Sequence, residues 1–412
     1  MRLNVIVMGA ILCGIAARPA PSLAFKIDPW SYPSAPGAQA EAPPTLERLF
    51  ANPQMLMLGP ISILTQVPAN LAQLSEAVHE NLTELSLRCA KAHSSTSVIT
   101  QCAGLRDAAT GVLKRGAPDL SSDEIALIRA VRWSDAPPMR AGSFLSPANL
   151  LCGEVRVPEN AACWALIMAS GAAAEQETPI DDRAHQARLA NLLLRSHYGD
   201  LQFMHAMAGR GETPHRTQER VLKWAQFTYQ VANGEILTDA SIAALDKALR
   251  DDVLLGFEDR TVTELFETAR GVSAAQIRRV ALGALLHLLQ DSYARGHATR
   301  SLDASGTAFG ALVSFNDYNC QSPARHAAAD RAETNEWFFA TEHGGASPVT
   351  RGAQLIAWVN AGVPWQGKVQ KWLADEAFSL APAAKALAAT AGSGFERGAK
   401  ESPAPARCAQ TE

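Results

Sequence analysis

Apolar residues recur at three- to four-residue spacing along most of this chain, and that periodicity restricts it to helices. Leu71, Leu74, Val78, Leu82 and Leu85 form one such stripe. Similar patterns cover 181–209, 215–233, 238–252, 260–269, 273–295 and 323–341, and Ser121-Ser122-Asp123-Glu124 reads as a helix start before an apolar run. Alternating apolar and polar runs, which strands require, are scarce. There is no internal repeat and no heptad array. The expected fold is all-α and multi-helical. With 412 residues, 47% of them hydrophobic, the chain is long enough to bury a large core. Its net charge of −4 carries no basic field that would attract nucleic acid or an anionic membrane.

The first residues read as an export signal rather than as fold. Met1-Arg2 is a short positive start, Val5 to Ile15 is apolar, and Ser22-Leu23-Ala24 fits the small-x-small cleavage rule. Residues 1–24 are therefore read as a signal, and the mature chain begins at Phe25. No later stretch is apolar for long enough to span a bilayer. Cys13 leaves with the signal. Cys89, Cys102, Cys152, Cys163, Cys320 and Cys408 remain, an even set suited to an oxidising compartment. Near-neighbour pairing would join Cys89 to Cys102, Cys152 to Cys163 and Cys320 to Cys408, one of several possible connectivities. The Pro-rich stretch 26–45 reads as an extended entry and 136–160 as a long loop. From Ala381 the tail reads as loosely ordered unless Cys408 pins it. Trp358, Trp365 and Trp372 recur every seven residues, as a helix–helix seam or a membrane-interface face, with Pro364 interrupting any continuous helix.

The chemistry concentrates in histidines paired with acids. His287 and Asp291 lie four apart, hence on one helical face, among Val280, Leu285, Leu286, Leu288 and Leu289. A carboxylate in such a face needs a partner or a metal. Gly283, one turn earlier, leaves room for close approach, and Gly296 reads as the helix end that returns His297 to the same point. His326 and Asp330 repeat the four-residue spacing. An isolated His-x3-Asp is usually an ordinary hydrogen-bonded pair, but two of them plus His297 supply five ligands for zinc on facing helices. Upstream, Asp135 follows a helix at a proline-locked turn, and 195–205 holds His197, Asp200 and His205. His197 is read as a ligand, with Asp200 and His205 as partners behind the ligands. His79, His93, His185, His215 and His343 have no comparable context and read as surface or packing residues, with His79 a weak exception.

The ordered set Trp-x-Asp (133–135), His-Tyr-x-Asp (197–200), His-x3-Asp-x5-His (287–297) and His-x3-Asp (326–330) resembles the superfamily of zinc-dependent phospholipases C and single-strand-specific zinc nucleases. Leu-His-Leu-Leu-Gln-Asp-Ser-Tyr and His-Tyr-Gly-Asp-Leu-Gln-Phe are similar in particular to a secreted bacterial branch of phospholipases C. The motifs cover residues 131–330. The resemblance implies a secreted or periplasmic, almost wholly helical phosphodiesterase domain over 25–345, with a helical extension and tail over 346–412. It implies a first zinc held by Asp135, His197, His287 and Asp291, and a second held by His297, His326 and Asp330. A third zinc would take Asp291, the mature N-terminal amine and carbonyl and a nearby His. Here the family's N-terminal Trp is Phe25 and the first following His is His79.

Two zinc ions ~3.5–4 Å apart activate a water and clamp the oxygens of an in-line phosphoryl displacement. The expected activity is hydrolysis of a glycerophospholipid to diacylglycerol and a phosphorylated headgroup, with transient membrane-surface contact and no stable nucleic-acid partner. Asp135 would orient or deprotonate the water, and Arg295 or Arg300 could stabilise phosphate charge. A zinc nuclease or 3′-nucleotidase is the alternative, with Tyr198, Tyr293, Phe315 or Tyr318 as a base-stacking slot. A non-enzymatic secreted helical binding protein with structural zinc is the second. Structural sites prefer closed, Cys-rich shells, whereas the cysteines here sit apart from the His/Asp clusters.

Overall fold

The computed structural model describes residues 76–93, 98–102, 120–137, 161, 163–168, 192–209, 211–266, 271–302, 309–330, 346–382, 384, 389–398 and 408. The signal, Phe25, the entry segment, most of the 136–160 loop, Cys152, His185 and His343 lie outside these residues. The structure is largely helical with a two-stranded sheet, in line with the periodicity.

Among the described residues the helices that carry the fold include α1 (Val78–Ala92), α2 (Ser122–Ala130), α3 (Leu192–Tyr198), α4 (Pro214–Asn233), α5 (Lys247–Val253), α6 (Val262–Phe266), α7 (Ala274–Asp291), α8 (Pro323–Ala329), α9 (Pro348–Asn360) and the short α10 (Gln370–Trp372). At the centre stands α7. Ser273 caps it, accepting from Gln276 N while the Gln276 side chain accepts from Ser273 N, so two otherwise orphaned amides are satisfied. From Val280 to Asp291 every residue is buried. A helix buried all round needs neighbours on every side, and α4, α2, α6, α9 and α1 all pack against it. Ser121 caps α2 in the same reciprocal way with Glu124, at the start read from the sequence.

Two glycines set interhelical distance. A Cβ on Gly283 would fall 2.5 Å from the Ala130 carbonyl carbon and 2.6 Å from its oxygen, which are backbone atoms and cannot swing aside. The expected close approach at Gly283 therefore brings the end of α2 onto α7. A Cβ on Gly352 of α9 would fall 2.6 Å from Ser86 Oγ on α1. Val349, Leu355, Ile356 and Trp358 belong to the same core cluster as α1 and α7, so the chain beyond 345 contributes to that shared core.

Several local expectations change. The 238–252 helix is instead a 3-10 turn (Ile242–Ala244) followed by α5, whose N-cap Asp246 accepts from Ala248 N. The 273–295 helix stops at Asp291, because Ser292 leaves the helix and its carbonyl and hydroxyl bond the Arg300 guanidinium. Gly296 is thus not the helix terminator. Two strands, β1 (Ala298–Leu302) and β2 (Phe309–Phe315), pair antiparallel with Ala298 opposite Phe315 and Leu302 opposite Phe309. Irregularities after Thr299 and Arg300 break the alternation that would have marked them in sequence. After α9, the chain turns at Gly367 (φ 84°) and winds again over Gln370–Trp372 and Leu373–Ala377. Trp358 and Trp365 are buried; the half-buried Trp372 ring meets Trp358 edge-on at 5.1 Å, and Trp365 lies against Tyr229 at 5.9 Å.

Cys89 pairs with Cys102 and Cys320 with Cys408, and Cys163 is also disulfide-bonded. No described helix is long and apolar enough to cross a membrane.

Candidate metal centre

Six histidines and three aspartates from six parts of the chain meet inside the helical core. Their ligand atoms fall into three groups, each within 4.8 Å: His79, His287 and Asp291; Asp135, His197 and His205; His297, His326 and Asp330. All nine residues are buried, with Asp135 and His197 the least so at 3% and 4% exposure. The rings form a continuous chain. His79 stacks on His287 at 4.0 Å, His205 lies 4.9 Å from His287, 4.5 Å from His197 and 6.3 Å from His297, and His297 lies 5.0 Å from His326.

Helix α7 supplies the middle of the cluster. The four-residue spacing puts His287 Nε2 2.9 Å from Asp291 Oδ2. Asp135 enters from the 3-10 turn Val131–Trp133 that ends α2, and its carbonyl is tied by Trp164 Nε1 at 3.0 Å. Its carboxylate faces His287, His197, His205 and His79 at 3.7 to 3.9 Å. His297 follows α7, while His326 on α8 lies 3.3 Å from Asp330 just after that helix.

Five of the six rings are aimed by their other nitrogen. His197 Nδ1 bonds Leu193 O, His287 Nδ1 bonds Val131 O, and His297 Nδ1 bonds His205 O, at 2.8, 2.9 and 2.6 Å. His79 Nδ1 bonds Gln290 Oε1 at 2.6 Å, and His326 Nδ1 bonds Gln321 Oε1 at 2.5 Å. Each oxygen accepts, which assigns a proton to Nδ1 and turns Nε2 inward; on a neutral ring that nitrogen offers its lone pair, whereas His287 Nε2 faces the Asp291 carboxylate. Imidazole is presented to a metal in that neutral, Nδ1-protonated form.

The residues fit a cation. Nε2 of His197, His205, His297 and His326 and one oxygen each of Asp135 and Asp291 are buried without a hydrogen-bond partner. Buried polar atoms left in that state cost roughly 1–3 kcal/mol each. Donors that share a tetrahedral zinc at ~2.0–2.1 Å stand about 3.3–3.5 Å apart, close to the His79–Asp291 separation of 3.4 Å. The donors are imidazole and carboxylate, and the cysteines of the two described bridges are bonded to each other.

The electrostatics agree. Burial pushes the Asp291 carboxyl up, but His287 and His297 outweigh it and hold Asp291 well below the usual carboxylate range. Asp135 is likewise lowered, burial being overcome by His287 and the other rings. Against its own burial, His287 is raised to about 9 by Asp291 and Asp135. Burial and the neighbouring His197 drive His205 down to about 3, and burial then His297 drives His326 well down. Two ionised carboxylates thus sit beside His287, which they hold in its charged form, and beside His205, His297 and His326, whose burial favours the neutral ring.

Several residues stand elsewhere than the sequence suggested. His205, expected behind the ligands, is inside the cluster with Nδ1 3.0 Å from both His287 Nε2 and Asp291 Oδ2. It ends a 3-10 turn, and Ala206 after it holds a left-handed backbone (φ 51°). That conformation is costly for a residue with a Cβ and marks a place where position matters. His79, read as packing, also points into the cluster. Its signal was weak: no acid follows four residues on, and its partner Gln290 is remote in sequence. Asp200 makes a two-bonded pair with Arg195 at 2.9 and 3.0 Å, bracing the turn between His197 and His205. Arg300 is buried over Tyr293 and bonded to Ser292, Gly310 and Ala377, so its guanidinium is committed to structure; Arg295 is exposed. Gly296 serves the site by steric room, since a Cβ there would fall 2.8 Å from His326 Nδ1.

No family model, curated protein or solved structure matches this chain.

Proposed function

We propose that this protein is an extracytoplasmic zinc-dependent phosphodiesterase of phospholipase C type. The observation that carries the reading is the convergence of inward-facing imidazole nitrogens on Asp135 and Asp291 in a buried core. The order of the motifs at 133–135, 197–200, 287–297 and 326–330 supports the resemblance to the zinc phospholipase C and nuclease superfamily. The disulfides fit an oxidising compartment.

Asp135, His197, His205, His287, Asp291 and His79 would hold metal on the α7 side, and His297, His326 and Asp330 would hold metal beyond it. Zinc bound there supplies Lewis-acid polarisation of phosphate and a water activated near neutral pH. The chain does the rest. Asp135, ionised among the rings of His287, His197, His205 and His79, would orient the attacking water through its carboxylate. The apolar walls of α7 exclude bulk water and strengthen each electrostatic contact inside.

A nuclease would need an aromatic face for a base. Tyr198 meets Tyr318 edge-on at 5.3 Å, and both are buried; Tyr293 and Phe315 lie in the core. Parallel assays on phosphatidylcholine vesicles and single-stranded DNA, with and without chelator, test the proposal. Chelator-sensitive release of diacylglycerol is expected. Cleavage of DNA alone would move the reading to the nuclease, and activity untouched by exhaustive chelation would overturn both.

A further inference from the structure

Two glutamines aim histidines in this cluster, and they are anchored differently. Gln290 lies on α7; its Oε1 accepts from His79 Nδ1 and its Nε2 donates to Thr83 Oγ1 on α1 at 2.9 Å, so both ends are held by packed helices. Gln321 precedes α8. Its Oε1 accepts from His326 Nδ1, while its Nε2 donates to Gly296 O at 2.6 Å and to Ala391 O at 2.7 Å. Gly296 directly precedes His297. Ala391 belongs to the C-terminal segment 389–398.

That segment is fastened to the same short stretch at several points. Asp317 N donates to Thr390 O, Ser322 N to Phe395 O, and Arg397 Nη2 to Asn319 O, at 2.8, 2.7 and 3.0 Å. Ala391 and Phe395 form a small core with Cys320 and Ala329, against which Cys408 packs. The Cys320–Cys408 bridge then closes the strap one residue from Gln321.

We propose that Gln321 is a positioning residue through which the C-terminal strap, pinned by Cys320–Cys408, sets the His297–His326–Asp330 triad for metal. The inference rests on the metal reading of the cluster, not on the identity of the substrate. With three hydrogen-bonding tasks on one side chain, Gln321 fixes the His326 ring and the His297 backbone relative to each other. A side chain that fills the same volume but accepts nothing would free the His326 ring.

The test uses the full mature chain loaded with zinc, read by elemental analysis and by zinc titration against a chromophoric chelator. The variants are Gln321→Met, Gln321→Glu, the Cys320→Ser/Cys408→Ser pair, and Ser273→Ala as a purely structural control at the α7 cap. Gln321→Met is expected to weaken the most labile zinc about 10–100-fold, the usual effect of losing an orienting partner, while tighter zinc is retained. Gln321→Glu keeps an acceptor for His326 and is expected to recover part of that affinity. The cysteine pair is expected to move the same zinc in the same direction. Ser273→Ala should lower Tm without changing any zinc affinity. Gln321→Met with wild-type zinc affinities at every site overturns the proposal, as does a loss matched by Ser273→Ala at equal Tm. If the unmodified chain binds no zinc, the metal reading and this inference fall together. If it binds zinc and cleaves no phosphodiester, only the assigned activity falls.

Discussion

The two halves of the His/Asp cluster are built from the same side chains on different supports. The half around Asp291 stands on α7, which is buried from Val280 to Asp291 and approached so closely by α2 that Gly283 admits no Cβ. The half around Asp330 stands on His297 in a turn, on the seven-residue α8 and on a C-terminal strap closed by a disulfide. Side-chain packing fixes the first, and a network of hydrogen bonds to loop backbone fixes the second. A site of the first kind resists local change until the core itself yields. The second kind can be loosened without unfolding the protein.

Substitutions can break or sharpen that contrast. The largest effect is expected from Asp291→Asn, which removes the carboxylate facing four rings; hydrolysis should fall more than about 100-fold, beyond the loss of a mere orienting partner. Steady-state assay with elemental analysis checks it. Gly283→Ala should cost about 1–3 kcal/mol by forcing α7 from α2. Because Val131 O aims His287 and the turn carries Asp135, metal should be lost on the α7 side in step with the fall in denaturation midpoint. Gly296→Ala should push on His326 alone, weakening one zinc with little change in Tm. Equal Tm losses for both glycine variants would erase the distinction between the halves.

The smallest effect concerns a place remote from the cluster. Asp252 pairs with Arg216 and Lys223 between α4 and α5, and although burial opposes them these partners hold its carboxyl below the usual range. An acid lowered by folding stabilises the fold above its unfolded pKa, and that contribution fades as pH falls through the folded value. Asp252→Asn should therefore cost about 0.5 kcal/mol at pH 7, in the range of exposed pairs, and nothing once the pH is well below 4. Thermal melts at the two pH values check it, and zinc content should not change.

How much of this could be read from sequence follows from range. His287 with Asp291 and His326 with Asp330 were legible because a helix puts residues four apart on one face, within the span a reader can scan. The capped start of α2 and the approach at Gly283 were legible for similar reasons: each follows from local chemistry. The place of His79 and His205 beside Asp291 was not legible, because it is set by the packing of α1 and of a 3-10 turn on α7. Arg300 looked like a phosphate contact by its place beside His297, but the strand it occupies turns it into the core. The hairpin was missed because its register breaks twice in five residues.

Metal in a buried centre organised around Asp291 is read by elemental analysis of the purified full-length chain beside Asp291→Asn. About two or more zinc ions are expected per unmodified chain, as the proposed two-metal phosphodiesterase requires, with a substantial loss in the variant. An unmodified chain without bound metal, or a variant with the same metal content, would contradict the metal reading.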